Sequence, residues 1–229
     1  MCIKVDYAEA TGTHNTQNAN FVETLYEEKV PAQNDEPKVR TAIYGKPILL
    51  FHQKTENDTP TFYGKSNMNF DKSSESVFGF TNEYDVESWE FKDNTTEGCN
   101  FTGNINDDNW SDSFEARYPD KYENITRLKE MHDWVVSTNR NQATNATLTE
   151  PVTYDGVTYN ADTADYRIAK FKAEFEDHFN LHYTLIYYVY TFFALMVDQR
   201  AKNLFLTYWG KTGRWYPYFY DNDKKCLSL

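Results

Sequence analysis

Glycine, proline and cysteine are all scarce in this 229-residue chain, at 9, 7 and 3 residues. With so few glycines, no G-x-x-x-x-G-K-[S/T], G-x-G-x-x-G or G-x-S-x-G run occurs. That excludes the P-loop phosphate cradle, the dinucleotide fingerprint and the nucleophile elbow. The three cysteines, Cys2, Cys99 and Cys226, are far apart and odd in number. No disulfide framework and no C-x-x-C zinc site follows from them. Basic residues are in deficit, 23 against 35 acidic ones, for a net charge of −12. A general nucleic-acid or anionic-membrane partner is disfavoured, since its phosphates would be repelled. A local nucleotide site with a metal ion stays open. The opening MCIKVDYAEATG lacks the apolar core of a signal peptide, and no internal repeat is present.

What the chain has in abundance is aromatic: 18 Tyr and 16 Phe within a hydrophobic fraction of 40%. That supplies a core for one large or two small domains and excludes wholesale disorder. The densest stretch is Leu181 to Val197. It is too long for a strand, holds no Gly or Pro, and is apolar on nearly all faces. It predicts a helix enclosed by protein. A membrane span is the rival reading on length, but His182, Tyr183, Thr184, Tyr187, Tyr188 and Tyr190 interrupt the run, which favours burial in protein.

Asp198 closes that run, and Asn203 follows after four residues. Two β-like runs come next, Leu204 to Trp209 and Arg214 to Tyr220, joined by Gly210-Lys211-Thr212-Gly213 and ending in Asp221-Asn222-Asp223. Protein kinases use similar parts in this order. An Asp lies near the attacking hydroxyl, an Asn one loop-turn away holds a metal, and a second Asp returns on a strand to bridge metal and phosphates. The competing reading is structural: Asp and Asn as caps, and D-N-D as a solvated turn.

The constellation resembles the CotH-type spore-coat kinases, in the phage and gut-bacterial branch. Their Asn-strand and W-D-x-D strand find counterparts in Asn203-Leu204-Phe205-Leu206 and Tyr220-Asp221-Asn222-Asp223. The resemblance implies an atypical, two-lobed protein-kinase-like fold of the α+β class. It implies Asp198 as base, Arg200 as a cation near the transferred phosphate, and Asn203, Asp221 and Asp223 as Mg²⁺ ligands. It also implies a phosphate-gripping lysine, for which Lys65 and Lys72 are the candidates, and ATP as the cofactor. Phe62-Tyr63-Gly64 matches the start of that family's small-lobe motif, but Phe70 or Asp71 stands where its Glu belongs. The partner would be a protein phosphoacceptor in a kinase, or virion proteins if the fold serves as a non-catalytic phage structural or surface-recognition protein. A carbohydrate-active protein with Asp198 and Asp221 as its carboxylate pair ranks lowest.

The resemblance implies a small β-rich lobe over residues 1–112 and a helical lobe over residues 113–229, and pattern gives the elements within them. Cys2 to Tyr7 is a strand, Ala8 to Asn20 a loop, Ala19 to Lys29 a short helix and Val30 to Lys38 a connector. Val39 to Phe51 is a hairpin turning at Gly45-Lys46, and Thr61 to Phe70 a strand. Asp85 to Thr102 holds two strands with Trp89 in the core, and Gly103 to Ser113 is an exposed loop. Tyr122 to Ser137 is an amphipathic helix with His132 off its apolar stripe and therefore on the surface. Asp162 to Phe179 is a second such helix capped by Asp162 or Thr163. The abrupt start, and the stop six residues after Asp223, predict a piece of a longer protein.

Overall fold

The computed structural model describes residues 2–4, 14–92, 101, 103–139, 148–160, 162–196, 198–200 and 202–220. In chain order these form β1 (Cys2–Lys4), α1 (His14–Leu25), α2 (Pro31–Asp35), β2 (Gly45–His52), β3 (Thr61–Asn69), α3 (Glu75–Phe78) and β4 (Val86–Phe91). Then come α4 (Trp110–Ser113), β5 (Phe114–Tyr118), α5 (Thr126–Thr138), β6 (Val152–Tyr154), β7 (Val157–Tyr159), α6 (Ala164–His178), α7 (Leu181–Phe193), β8 (Leu204–Trp209) and β9 (Arg214–Phe219). The protein is α+β. One antiparallel sheet has the order β1-β3-β2, a second β5-β4-β8-β9, and β6-β7 is a separate hairpin.

The four-stranded sheet is buried on both faces, which is unusual for an antiparallel sheet. Every residue of β4 is buried. Side-chain alternation then assigns two cores. Trp89, Phe91, Leu204, Leu206 and Phe219 pack towards α1, α5 and α7. Val86, Phe205, Trp209, Tyr216 and Tyr218 pack towards Phe78, Phe80 and the segment from Val30 to Ile43. Trp89 is fully buried, as its pattern predicted. β4 precedes residue 113 while its sheet partners β5, β8 and β9 follow it, so this sheet straddles the expected 112/113 division.

α7 starts at Asn180, whose side chain accepts from the Tyr183 N–H at 2.9 Å and whose amide donates to Glu28 at 2.8 Å. Its inner face lies on β9, with the Tyr187 and Phe219 ring centroids 4.3 Å apart. α6 is capped by Thr163, which accepts from the Tyr166 N–H at 3.2 Å.

Several expectations are corrected. α7 is not enclosed: Tyr183, Tyr187, Tyr190 and Thr191 are buried, but the opposite face is open. Among the described residues no helix is long and apolar enough to cross a membrane. No hairpin turns at Gly45. That residue opens β2, pressed so close to Asn69 that a Cβ would lie 2.0 Å from its Oδ1. The sharp reversal falls instead between β2 and β3. α1 begins in the expected loop and buries polar Asn15 and Thr16. The 30–38 connector contains α2, with Pro31 in its first turn and the Val30 N–H bonded to Gln33 Oε1. The 103–113 loop contains α4 and buries Ile105. His132 is fully buried, stacked on Phe101 at 5.9 Å and edge-on to Phe114 at 6.2 Å. It lies four residues after Leu128 and so falls inside the apolar stripe. Residues 5–7 of the first expected strand, and the second strand expected between Asp85 and Thr102, lie largely outside the described residues.

Candidate functional site

The β8–β9 ladder runs from Trp209–Arg214 beside its turn to Leu204–Phe219 at the other end. Asn203 and Tyr220 therefore leave the sheet together. Asn203 adopts a left-handed backbone, with φ at 55°, a conformation that Asn tolerates better than most residues. Just ahead of it, Asp198–Arg200 forms a single 3₁₀ turn. Gln199, fully buried, fixes that turn to the sheet: its carbonyl accepts from the Tyr187 hydroxyl at 2.5 Å, and its Nε2 donates to the Tyr220 carbonyl at 3.4 Å. The residue after Asp198 is thus bonded to the residue before Asp221. Arg200 is exposed, its guanidinium 5.9 Å from the centroid of the Phe192 ring.

Lys72 reaches the same place from the other sheet. It follows β3 by three residues, and its Nζ lies 3.0 and 3.2 Å from the two carboxylate oxygens of Glu90. It also lies 5.1 Å from the centroid of the Tyr220 ring. Glu90 is mostly buried and receives a second cation, Arg117, through its Nε. Such a carboxylate must be paired to be tolerated in the interior. Tyr220 stacks on Phe205, centroids 5.0 Å apart, so the ring beneath Lys72 is itself held by the core.

Lys72 and Tyr220 border a cleft of about 250 Å³ between the ends of β1, β3 and β9, lined also by Lys4, Asn69 and Asp71. Its volume is just under the roughly 300–1,000 Å³ of ligand pockets. Phe70 and Asp71, which stand at the family motif's Glu position, both line it. Lys65 does not. It is exposed on β3, paired with Leu49 and four residues from Asn69, roughly 13 Å along the strand. Asp221 and Asp223 lie outside the described residues, and Asp198 is described by its backbone alone.

Among the described residues no group of three or more His, Cys, Asp or Glu side chains could hold a metal. The expected donors, Asn203, Asp221 and Asp223, offer only carboxylate and amide oxygens, the ligand type Mg²⁺ takes. Sequence reasoning named Lys65 and Lys72 as candidates and did not single out Glu90, Arg117 or Gln199, which the fold brings beside Lys72 and Tyr220. Little in the sequence signals Glu90: strand alternation sets it on the face opposite Trp89 and Phe91, which reads as solvent-facing until the second cover of the sheet is known.

No protein-family model matches the chain, and neither a curated protein nor a solved structure does. The likeness to CotH-type kinases therefore rests on the motif residues alone.

Proposed function

We propose that the protein is a CotH-like atypical kinase or pseudokinase that binds an Mg²⁺-nucleotide in the cleft beside Lys72 and Tyr220. One observation carries the reading: segments far apart in sequence meet at one end of β8–β9. Lys72 lies over Tyr220, and Gln199 bonds the Tyr220 carbonyl. Asp198 and Asp221 are the immediate sequence neighbours of those two anchored residues, and Asn203 opens β8 beside them.

In this reading Lys72 grips the nucleotide phosphates, with Glu90 orienting its ammonium. Asn203, Asp221 and Asp223 hold the metal, which when bound neutralises charge on the phosphate oxygens. Arg200 offsets phosphate charge from the exposed side. If transfer occurs, the Asp198 carboxylate takes the proton of a protein hydroxyl as that oxygen bonds to the γ-phosphorus. The bond to the bridging oxygen breaks, and the nucleoside diphosphate leaves. A non-catalytic phage structural or surface-recognition role is the second reading, favoured by the open apolar face of α7.

Titration calorimetry and a radiolabelled-phosphate transfer assay separate binding from chemistry. Asp221→Asn removes most Mg²⁺-ATP binding, because the carboxylate charge on the metal is lost. Asp198→Asn leaves binding nearly intact and suppresses transfer to protein. Equal binding heats from wild type and Asp221→Asn sink the metal-nucleotide reading. Binding without transfer in the wild type leaves the pseudokinase.

A further inference from the structure

α7 is apolar on both sides, yet only one side is covered. Tyr183, Tyr187 and Tyr190 face the core. Leu185, Tyr188, Val189, Phe192, Phe193 and, just past the helix, Leu195 face outward, each about half exposed or more, with Phe193 at 72%. The outward positions recur at three- and four-residue spacing, so they form one continuous stripe. From Leu181 to Met196 the chain has no Asp, Glu, Lys or Arg. Scattered exposed apolar residues need no explanation, but a contiguous uncharged stripe of this size does.

We infer that the outward face of α7 is a self-association surface through which two copies of this chain form a symmetric dimer. Area is the first argument. Six large side chains of about 150–250 Å² each, roughly 60% exposed, leave roughly 700 Å² of apolar surface. Two copies would bury about 1,400 Å², within the range of stable, specific interfaces. Charge is the second argument. A chain with net charge −12 repels its own copy over most of its surface, and a stripe without charge is where that repulsion is least. A two-fold axis sets the stripe against its own copy, apolar against apolar, with the Tyr188 hydroxyl as the one polar group among the six side chains.

A lipid surface is the poorer occupant. Helices that lie in a membrane interface carry Lys and Arg beside the apolar stripe and turn a polar face to water. α7 itself carries neither, a single cation, Arg200, reaches the stripe at Phe192, and the other face of the helix is core rather than a polar face turned to water. The dimer also has a local consequence. Phe192 sits beneath the Arg200 guanidinium, so covering the stripe fixes the ring on which that cation rests. The inference does not depend on nucleotide binding.

Sedimentation velocity on the purified chain, in reductant and without nucleotide, tests it. The wild type sediments at about twice its 26.9 kDa mass at low micromolar concentration. Val189→Glu and Phe193→Glu replace exposed side chains, so they keep the wild-type circular dichroism. Each raises the dissociation constant by about 100-fold or more, because a charge would be buried without a partner. Leu49→Glu, on the exposed small sheet, stays dimeric. In a background with Cys2, Cys99 and Cys226 replaced by Ser, Val189→Cys adds under oxidation a disulfide-linked dimer absent from that background alone. A wild type that stays monomeric at about 100 μM overturns the inference. So does dissociation by Leu49→Glu but not by Val189→Glu. A monomer that floats with phosphatidylglycerol vesicles overturns it in favour of a lipid surface.

Discussion

Glu87→Gln should change how stability depends on pH. Glu87 sits inside β4 on the Trp89 side of the sheet, 2% exposed, and its Oε1 has no hydrogen-bond partner. Burial is the main cause that pushes its pKa from 4.5 up to about 7. The Arg127 charge and the Trp89 indole oppose that rise, and Asp85 and Glu130 reinforce it. The folded state therefore holds a proton that the unfolded chain releases. Below pH 4.5 both states are protonated and the group costs nothing. As pH rises from 4.5 towards 7, the unfolded state ionises first and wild-type stability falls. Above pH 7 the loss is complete. A shift of about 2.5 units at 1.36 kcal/mol each sets the loss on the order of 3 kcal/mol. Glutamine keeps the shape and cannot ionise, so the variant escapes this loss. Urea unfolding of both proteins from pH 4.5 to 8.5 measures the difference between them, which cancels the other titrating groups. That difference should climb in favour of the variant up to pH 7 and then level off. A flat difference would refute the reasoning.

Other consequences follow from single contacts. Gly79→Ala should destabilise by roughly 2–4 kcal/mol in chemical denaturation, because Gly79 has φ at 67° and a Cβ there would lie 2.6 Å from Ala32 Cβ and 2.7 Å from Val39 Cγ2. Arg117→Met should cost about 2–3 kcal/mol by the same assay, since Glu90 keeps only Lys72. Leu128→Ala, at a fully buried position of α5, should cost about 2–5 kcal/mol.

The helices and strands that carry a strong period were legible. Thr61 to Phe70, Asp162 to Phe179 and the two runs of the last hairpin appear within a few residues as β3, α6, β8 and β9. What was illegible depends on partners distant in sequence. The burial of His132 was legible only in part: its place four residues after Leu128 is local, but its aromatic neighbours come from residues 101 and 114. Gly45 carries an ordinary turn signal, and only Asn69 across the sheet shows that it serves close approach instead. The apolar character of α7 was read correctly, but apolarity all round does not say who supplies the second cover. At the candidate site, spacing pointed to Asp198 and Asn203, and the resemblance offered Lys65 and Lys72 alike. It could not choose Lys72 over Lys65, a choice that rests on the fold bringing Glu90 and Tyr220 to one lysine and not the other.

That choice is also the most direct test of the account. Isothermal titration of Mg²⁺-ATP into wild type, Lys72→Met and Lys65→Met compares the two lysines at equal loss of charge. If the nucleotide lies in the cleft, Lys72→Met weakens binding by about tenfold or more, as expected for loss of a charge-assisted phosphate contact of about 1.5–3 kcal/mol. Lys65→Met should then bind like the wild type. Unchanged binding in Lys72→Met, or an equal loss in both variants, would contradict the assignment of this cleft.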